Sequence, residues 1–308
     1  MTDAPDWFAS ATYHWNDWSI DDLLAAKQAG GHSVSLVVPA RNEAATVGDV
    51  VSRVRTSLME TAQLIDEIVV IDSDSTDDTY EVAEDAGAVV HRSTEIRPDL
   101  GSYPGKGEAM WKSLFVTRGD LIVFMDADLT DWDTHFVPGL LGPLLTSSAS
   151  LVKGFYERPF VGGSGEMPYE GGRVTELVAR PLIALHFPEL AGLVQPLAGE
   201  WAVRRELMER LSVPTGYAVE LAALIDTVRS DGVQALAQVN LGRRAHRHQA
   251  LRDLGAMATQ ILAAAHRRIG GEVGDSITLA QYEHPRDDLA RISREIAVIE
   301  REPAKLWC

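Results

Sequence analysis

Four short apolar runs separated by stretches with helical spacing constrain the first half of this chain more than any other feature. Residues 33–38, ending at Pro39, form the first; 68–71, 88–91 and 120–125 follow, the last being the most apolar. Such runs bounded by polar turns read as buried strands. After the first, Val47, Val50, Val51, Val54 and Leu58 recur at helical spacing, with Asn42 as the expected cap. Thr76-Asp77-Asp78 is expected to open the next helix, its acids suiting the positive end. That helix would bury Val82, Ala83 and Ala86 and stop at Gly87. Strands alternating with helices of this length predict a parallel sheet with right-handed crossovers.

The second half is less regular. Residues 151–155 predict a strand, 161–171 a mobile glycine-rich loop and 172–186 a helix. Helices are expected at 222–229 and Leu251–Arg268, on either side of a strand at 235–241. Residues 286–300 read as a charged helix. No internal repeat or low-complexity linker interrupts the chain.

At 308 residues, 45% hydrophobic and 24% charged, the chain can bury one large α/β core. No apolar run approaches the roughly 20 residues needed to span a bilayer. Residues 1–10 are acidic and aromatic, unlike a signal peptide. The single cysteine, Cys308, excludes an internal disulfide and a cysteine-built zinc site. A soluble cytoplasmic protein is expected. The net charge of −17 argues against nucleic acid or an anionic membrane as partner. A chain this acidic repels anionic substrates unless it carries local cations or a metal. The basic clusters at 243–252 and 105–112, and Arg173 among glycines, therefore stand out.

Ligands of open parallel sheets bind beyond the carboxyl ends of the strands. Three strands here end in Pro39-Ala40-Arg41-Asn42-Glu43, Asp72-Ser73-Asp74-Ser75 and Asp126-Ala127-Asp128. Any one alone reads as a solvated, helix-capping loop; three at one edge read as a site. Asp126 and Asp128, after a buried strand, suit a hard divalent cation that prefers oxygen ligands. Such an ion neutralises a diphosphate leaving group as a Lewis acid.

These motifs resemble the three signatures of GT-A glycosyltransferases. Pro104-Gly105-Lys106-Gly107-Glu108-Ala109, Gly171-Gly172-Arg173-Val174-Thr175-Glu176-Leu177 and Arg244-Ala245-His246-Arg247 narrow the likeness. They resemble the retaining glucosyl-3-phosphoglycerate and mannosyl-3-phosphoglycerate synthase family, over about residues 15–257. The resemblance implies a GT-A fold: an α/β, Rossmann-like, mostly parallel sheet flanked by helices, with a helical C-terminal extension on the acceptor side. Residues 1–160 would form the nucleotide-sugar half and 161–308 the acceptor half of one continuous globular unit.

The resemblance also implies roles. Asp128, His246 and Lys106 would be catalytic, with Asp128 and His246 holding Mg2+ or Mn2+. The donor would meet Pro39, Ala40, Glu43, Ser73, Asp74, Lys106, Asp126, Tyr217, Glu220 and Arg244. The acceptor would meet Gly172, Arg173, Thr175, Leu197 and His248. The chemistry of these residue types agrees. Lys106 lies between glycines that allow close backbone approach, although a surface turn would look the same. Neighbouring arginines favour a neutral, metal-binding His246 over the commoner structural histidine. A helix starting near Gly172 offers free N–H groups to an anion, and Arg173 adds a forked donor. Tyr217 can pack on a sugar ring and Glu220 can bridge its hydroxyls, where both would otherwise read as half-buried helix residues.

Three departures from the family pattern occur: Arg41 in place of an aliphatic residue, Asp74 in place of glycine and His248 in place of asparagine. Asp74 could accept the N–H edge of guanine, which points weakly towards a GDP-sugar. The expected activity is transfer of glucose from an NDP-glucose to 3-phosphoglycerate. Transfer of mannose from GDP-mannose, dual donor use, and a non-catalytic nucleotide-sugar sensor stand as alternatives. A nicotinamide dehydrogenase is a poorer alternative, because no G-x-G-x-x-G follows the first strand. Leu289, Ile292, Ile296 and Val298 are expected to pack a homodimer, or else to cover the core.

Overall fold

The computed structural model describes residues 4–157, 160–162, 165–167, 172–244, 250–283 and 290–307. The first six strands are β1 (Thr12–His14), β2 (Val34–Ala40), β3 (Glu67–Asp72), β4 (Val89–Arg92), β5 (Leu121–Phe124) and β6 (Leu151–Glu157). They are followed by β7 (Phe160–Gly162), β8 (Gly165–Met167), β9 (Trp201–Arg204), β10 (Val213–Pro214) and β11 (Leu236–Arg243). The last three are β12 (Ser276–Glu283), β13 (Ala290–Ala297) and β14 (Glu300–Arg301).

Eight of these form the central sheet, in the order β1-β11-β6-β9-β5-β2-β3-β4. All neighbours run parallel except β9, which is antiparallel to both β5 and β6. Strands come from both sides of residue 160. The fold is the expected mostly parallel α/β sheet, with two strands that were not expected: β1 at one edge and the antiparallel β9 at the centre. Only three apolar residues, Trp201-Ala202-Val203, lie between Glu200 and Arg204, too few to stand out as a buried run.

The apolar runs are strands because both faces of the sheet are covered. Leu36 and Val38 point into one cluster with Val50, Val54, Leu140 and Val152. Val37, between them, points into the other with Met110, Trp111, Phe124, Trp201 and Leu224. Side chains alternate across a strand, so one apolar run feeds both layers. Register then sets the site: Ala40 lies opposite Asp72, which aligns the polar ends of β2 and β3 at one edge.

Several local expectations need correction. Asn42 does not cap the helix Val47–Val54; it adopts a left-handed φ of 56°, and its Oδ1 accepts from the Thr76 N–H at 2.8 Å. The glycine-rich stretch at 161–171 contains the antiparallel pair β7–β8 rather than only loop. Residues 286–300 are not a helix in their described part: β13 pairs with β12, then β14 pairs with β10. Ile292, Ile296 and Val298 lie an even number of residues apart, the period of a strand. Ile296 and Val298 pack against Ala263 of the helix Leu251–Arg268, so these two cover the chain's own core. Leu289 lies outside the described residues. Among the described residues no helix is long and apolar enough to cross a membrane.

Candidate active site

The site is built at the carboxyl edge where β2, β3 and β5 end. Ser73, just past β3, donates its N–H to Ala40 O at 2.9 Å, which ties the two turns together. Glu43 is half-buried, and its N–H is held by Thr79 Oγ1 at 2.8 Å. Asp74 is exposed at a left-handed φ of 56°, a conformation that aspartate tolerates. Its Oδ1 accepts from Thr94 Oγ1 at 3.1 Å, so an oxygen expected to read guanine is engaged within the chain.

Beyond β5 the charges converge. Lys106 Nζ sits 2.5 Å from Asp126 Oδ1 and 2.9 Å from Glu220 Oε1. Arg244, buried to 2% exposure, places Nη2 3.0 Å from Asp126 Oδ2 and 3.1 Å from Asp128 Oδ1. Its Nη1 donates to Glu200 Oε2 at 2.8 Å and to the Tyr156 hydroxyl at 2.6 Å. The Tyr156 hydroxyl in turn donates to Glu200 Oε2 at 2.7 Å. Five widely separated parts of the sequence thus share one ion-pair network.

The backbone fits closely around it. A Cβ on Gly199, which leads into β9, would lie 2.1 Å from Asp126 Oδ2. Lys106 opens the helix Lys106–Ser113, whose first turn is docked on residues 214–216. Tyr217 follows that turn, about half exposed, with its N–H on Gln260 Oε1 at 3.0 Å. Gly172, Arg173 and Thr175 stand together at the start of the helical segment ending at His186. Gly172 has a positive φ of 80°, and its carbonyl accepts from the Glu176 N–H. Leu197 packs against the second core cluster. His246 and His248 lie outside the described residues.

The electrostatics follow from burial opposed by pairing. Burial works against the charge on Asp126, but Lys106 and Arg244 outweigh it and hold its carboxyl far below the usual range. Burial likewise opposes the Lys106 charge, and Asp126 with Glu220 outweighs it, so the ammonium persists. Asp128 goes the other way, pushed up by burial and by the Asp126 charge. Asp126 meets both Lys106 and Arg244, whereas Asp128 meets one guanidinium nitrogen that Asp126 shares. Glu200 is pushed up by burial, and its Oε1 has no hydrogen-bond partner among the described residues.

Neither Tyr156 nor Lys153 had an expected role. Lys153 did carry a signal: a lysine inside the apolar run Leu151-Val152-Lys153-Gly154-Phe155. It is fully buried on β6, donates to Ala198 O at 2.5 Å and lies over the Trp201 ring.

The comparisons with known proteins agree with this architecture. The family model for glycosyl transferase family 2 matches residues 35–210. The glucosyl-3-phosphoglycerate synthase of Mycolicibacterium smegmatis is 44% identical over 96% of this chain and 96% of that protein. The chain belongs to the glucosyl-3-phosphoglycerate synthase family, within glycosyl transferase family 2. Another member, from Petrotoga mobilis, is 40% identical over 94% of this chain and 92% of its own. The crystal structure of the Mycobacterium tuberculosis family member with Mn2+, UDP-glucose and phosphoglyceric acid superposes with a TM-score of 0.86. It is 42% identical over 97% of this chain and 99% of that one. The same protein has also been solved with Mg2+ and UDP, at a TM-score of 0.86.

The family implies a divalent ion, and the residues present fit one. Asp126 and Asp128 offer the hard oxygen donors that Mg2+ and Mn2+ prefer. The raised Asp128 carboxyl marks an anion short of positive charge, and four carboxylates face two committed cations, Lys106 and Arg244. Among the described residues no ready set of three ligands exists, so further donors must come from elsewhere in the chain or from substrate.

Proposed function

We infer that this chain transfers glucose from UDP-glucose to the 2-hydroxyl of 3-phosphoglycerate with retention of configuration. One observation carries the reading: Lys106, Asp126, Asp128, Glu220 and Arg244 gather at the end of β5 in a fold that superposes on a family member holding UDP-glucose and phosphoglyceric acid.

In this reading Pro39, Ala40, Glu43 and Ser73 line the nucleoside side. Asp128, with Asp126 beside it, would hold Mg2+ or Mn2+, completed by His246. The bound ion would supply Lewis-acid neutralisation of the departing diphosphate. Lys106, held by Asp126 and Glu220, is the cation that faces the donor, and Glu220 and Tyr217 receive the hexose. Arg244 is anchored by Glu200 and Tyr156, so its guanidinium can exchange Asp128 for a phosphate oxygen without moving its stem. Gly172, Arg173 and Thr175 take the acceptor's anionic groups, with Leu197 and His248 completing that side.

The bond from the anomeric carbon to the diphosphate oxygen breaks, and a bond to the acceptor hydroxyl oxygen forms. The hydroxyl proton passes to the departing phosphate oxygen. A double displacement would need a free carboxylate, and each carboxylate of the network is engaged by Lys106 or Arg244. Same-face attack is therefore favoured, with catalysis resting on positioning and charge stabilisation.

Side-by-side rates with UDP-glucose, GDP-glucose and GDP-mannose, each with 3-phosphoglycerate and Mg2+ or Mn2+, test this. Fastest turnover is expected with UDP-glucose. A preference for GDP-mannose would replace the reading, and donor binding without turnover would make the chain a sensor.

A further inference from the structure

The segment 297–302 fastens both sides of the donor site. Ile299 O accepts the Thr215 N–H at 3.0 Å, and Gln260 bridges Ala297 O at 2.9 Å to the N–H of Tyr217. The turn bearing Tyr217 therefore hangs on this segment. The same turn receives the helix bearing Lys106: Glu108 N–H donates to Thr215 O at 2.9 Å. The approach is so close that a Cβ on Gly107 would lie 1.8 Å from Pro214 O.

Arg301 closes the arrangement. Its Nη2 and Nε donate to the two carboxylate oxygens of Glu108 at 2.6 and 2.8 Å, a forked pair. Glu108 is wholly buried, and its Oε1 also accepts the Tyr103 N–H. The guanidinium stands 4.5 Å from the Tyr103 ring and 4.7 Å from that of Trp111. It also donates to Leu100 O at 2.8 Å and Gly101 O at 3.1 Å. Trp111 Nε1 returns a bond to Glu302 O at 2.9 Å. One side chain thus holds the loop leading to Lys106 and the first turn that follows it.

We propose that Arg301 is a positioning residue for glucosyl transfer, setting through Glu108 where Lys106 meets the donor. The argument is one of constraint. Lys106 is flanked by Gly105 and Gly107, whose backbones have the widest conformational freedom. Its ammonium must nonetheless reach two carboxylates on different elements, 2.5 and 2.9 Å away. The restraint has to come from outside the turn, and the Arg301–Glu108 fork supplies it two residues away.

The proposal rests on the donor-side role of Lys106 given above. Steady-state rates and UDP-glucose affinity by calorimetry are measured for Arg301→Met, Arg301→Lys and Arg294→Ala. Arg294, on β13, pairs with Asp253 of the helix Leu251–Arg268 and serves as control. Arg301→Met is expected to lower kcat/KM for UDP-glucose about 10²-fold. Donor KM and Kd should rise about tenfold or more, equivalent to ~1.4 kcal/mol, with acceptor KM within about twofold. Arg301→Lys should recover part of the loss, since it keeps the charge but not the fork, and Arg294→Ala should match wild type. Unchanged donor KM and Kd per competent site overturns the proposal, even if fewer sites survive. If Arg301→Met does not fold, Glu108→Gln carries the same readout. Wild type that binds UDP-glucose without transferring it overturns the functional reading alone, since calorimetry still reads the effect of Arg301 on donor affinity.

Discussion

Lys106 reaches across the site to Glu220, Nζ to Oε1 2.9 Å, and in doing so also covers Asp126. Glu220 is 5% exposed, so the pair is nearly dry. Removing one member of such a pair typically costs ~3–5 kcal/mol, because a charge is left buried and unpaired. Lys106→Met should therefore lower both stability and activity. The double variant Lys106→Met/Glu220→Gln should regain much of the stability, read by urea unfolding, while its transfer rate stays at the floor. Recovery of rate with stability would assign Lys106 a purely structural role.

Asp128 predicts the opposite combination. Burial and the Asp126 charge disfavour its ionised form, so Asp128→Asn should leave the metal-free protein as stable as wild type or more so. Metal-stimulated transfer should fall at least ~10²–10³-fold, the usual effect of losing a group that stabilises developing charge. Thermal melts with EDTA and with added Mn2+ test this. Wild type should gain stability with Mn2+ by mass action, and the variant should not. A variant still stabilised by Mn2+ would remove Asp128 from the ion's ligands.

Gly199→Ala would place a methyl group where Asp126 Oδ2 now lies, 2.1 Å from it. Either the carboxylate or the loop into β9 must shift. Displacements of about 1 Å near reacting groups cost on the order of 10² in rate, so kcat should fall that far while the fold survives. Near-normal kcat would show that Asp126 does not need its present position.

Lys153 makes a pH-dependent contribution. Burial pushes it down to about 7 from the usual lysine range, against the pull of Glu220. Between about 7 and that ordinary range the unfolded chain binds the extra proton, so this residue makes stability rise with pH across the window. Below about 7 the charged, buried lysine weighs against the fold. The stability of Lys153→Met relative to wild type should therefore be most favourable near pH 6 and decline towards pH 9. Urea midpoints across that range check the slope, and a flat difference would mean that Lys153 does not titrate there.

The order of strands and helices in the first half, and the carboxyl edge at which the polar turns gather, were legible because they depend on local pattern. An apolar run covered on both faces has to be a buried strand, and whatever follows it lands at one edge of a parallel sheet. The paired aspartates after β5, the lysine between glycines and the arginine of the basic cluster were marked in the same way, by residue type at a strand or helix end. The antiparallel β9, the hairpin in place of a helix at 286–300, and the Arg301–Glu108 fork were not. Each depends on partners far away in the chain. Three apolar residues between Glu200 and Arg204 are too few to stand out as a buried run, and a charged side chain does not announce which buried carboxylate it will meet. Sequence alone determined the fold class and the chemical types in the site. Which cation sits on which carboxylate was decided only by tertiary packing, because an ion pair in a dry interior is set by sub-ångström placement of elements that local propensity does not control.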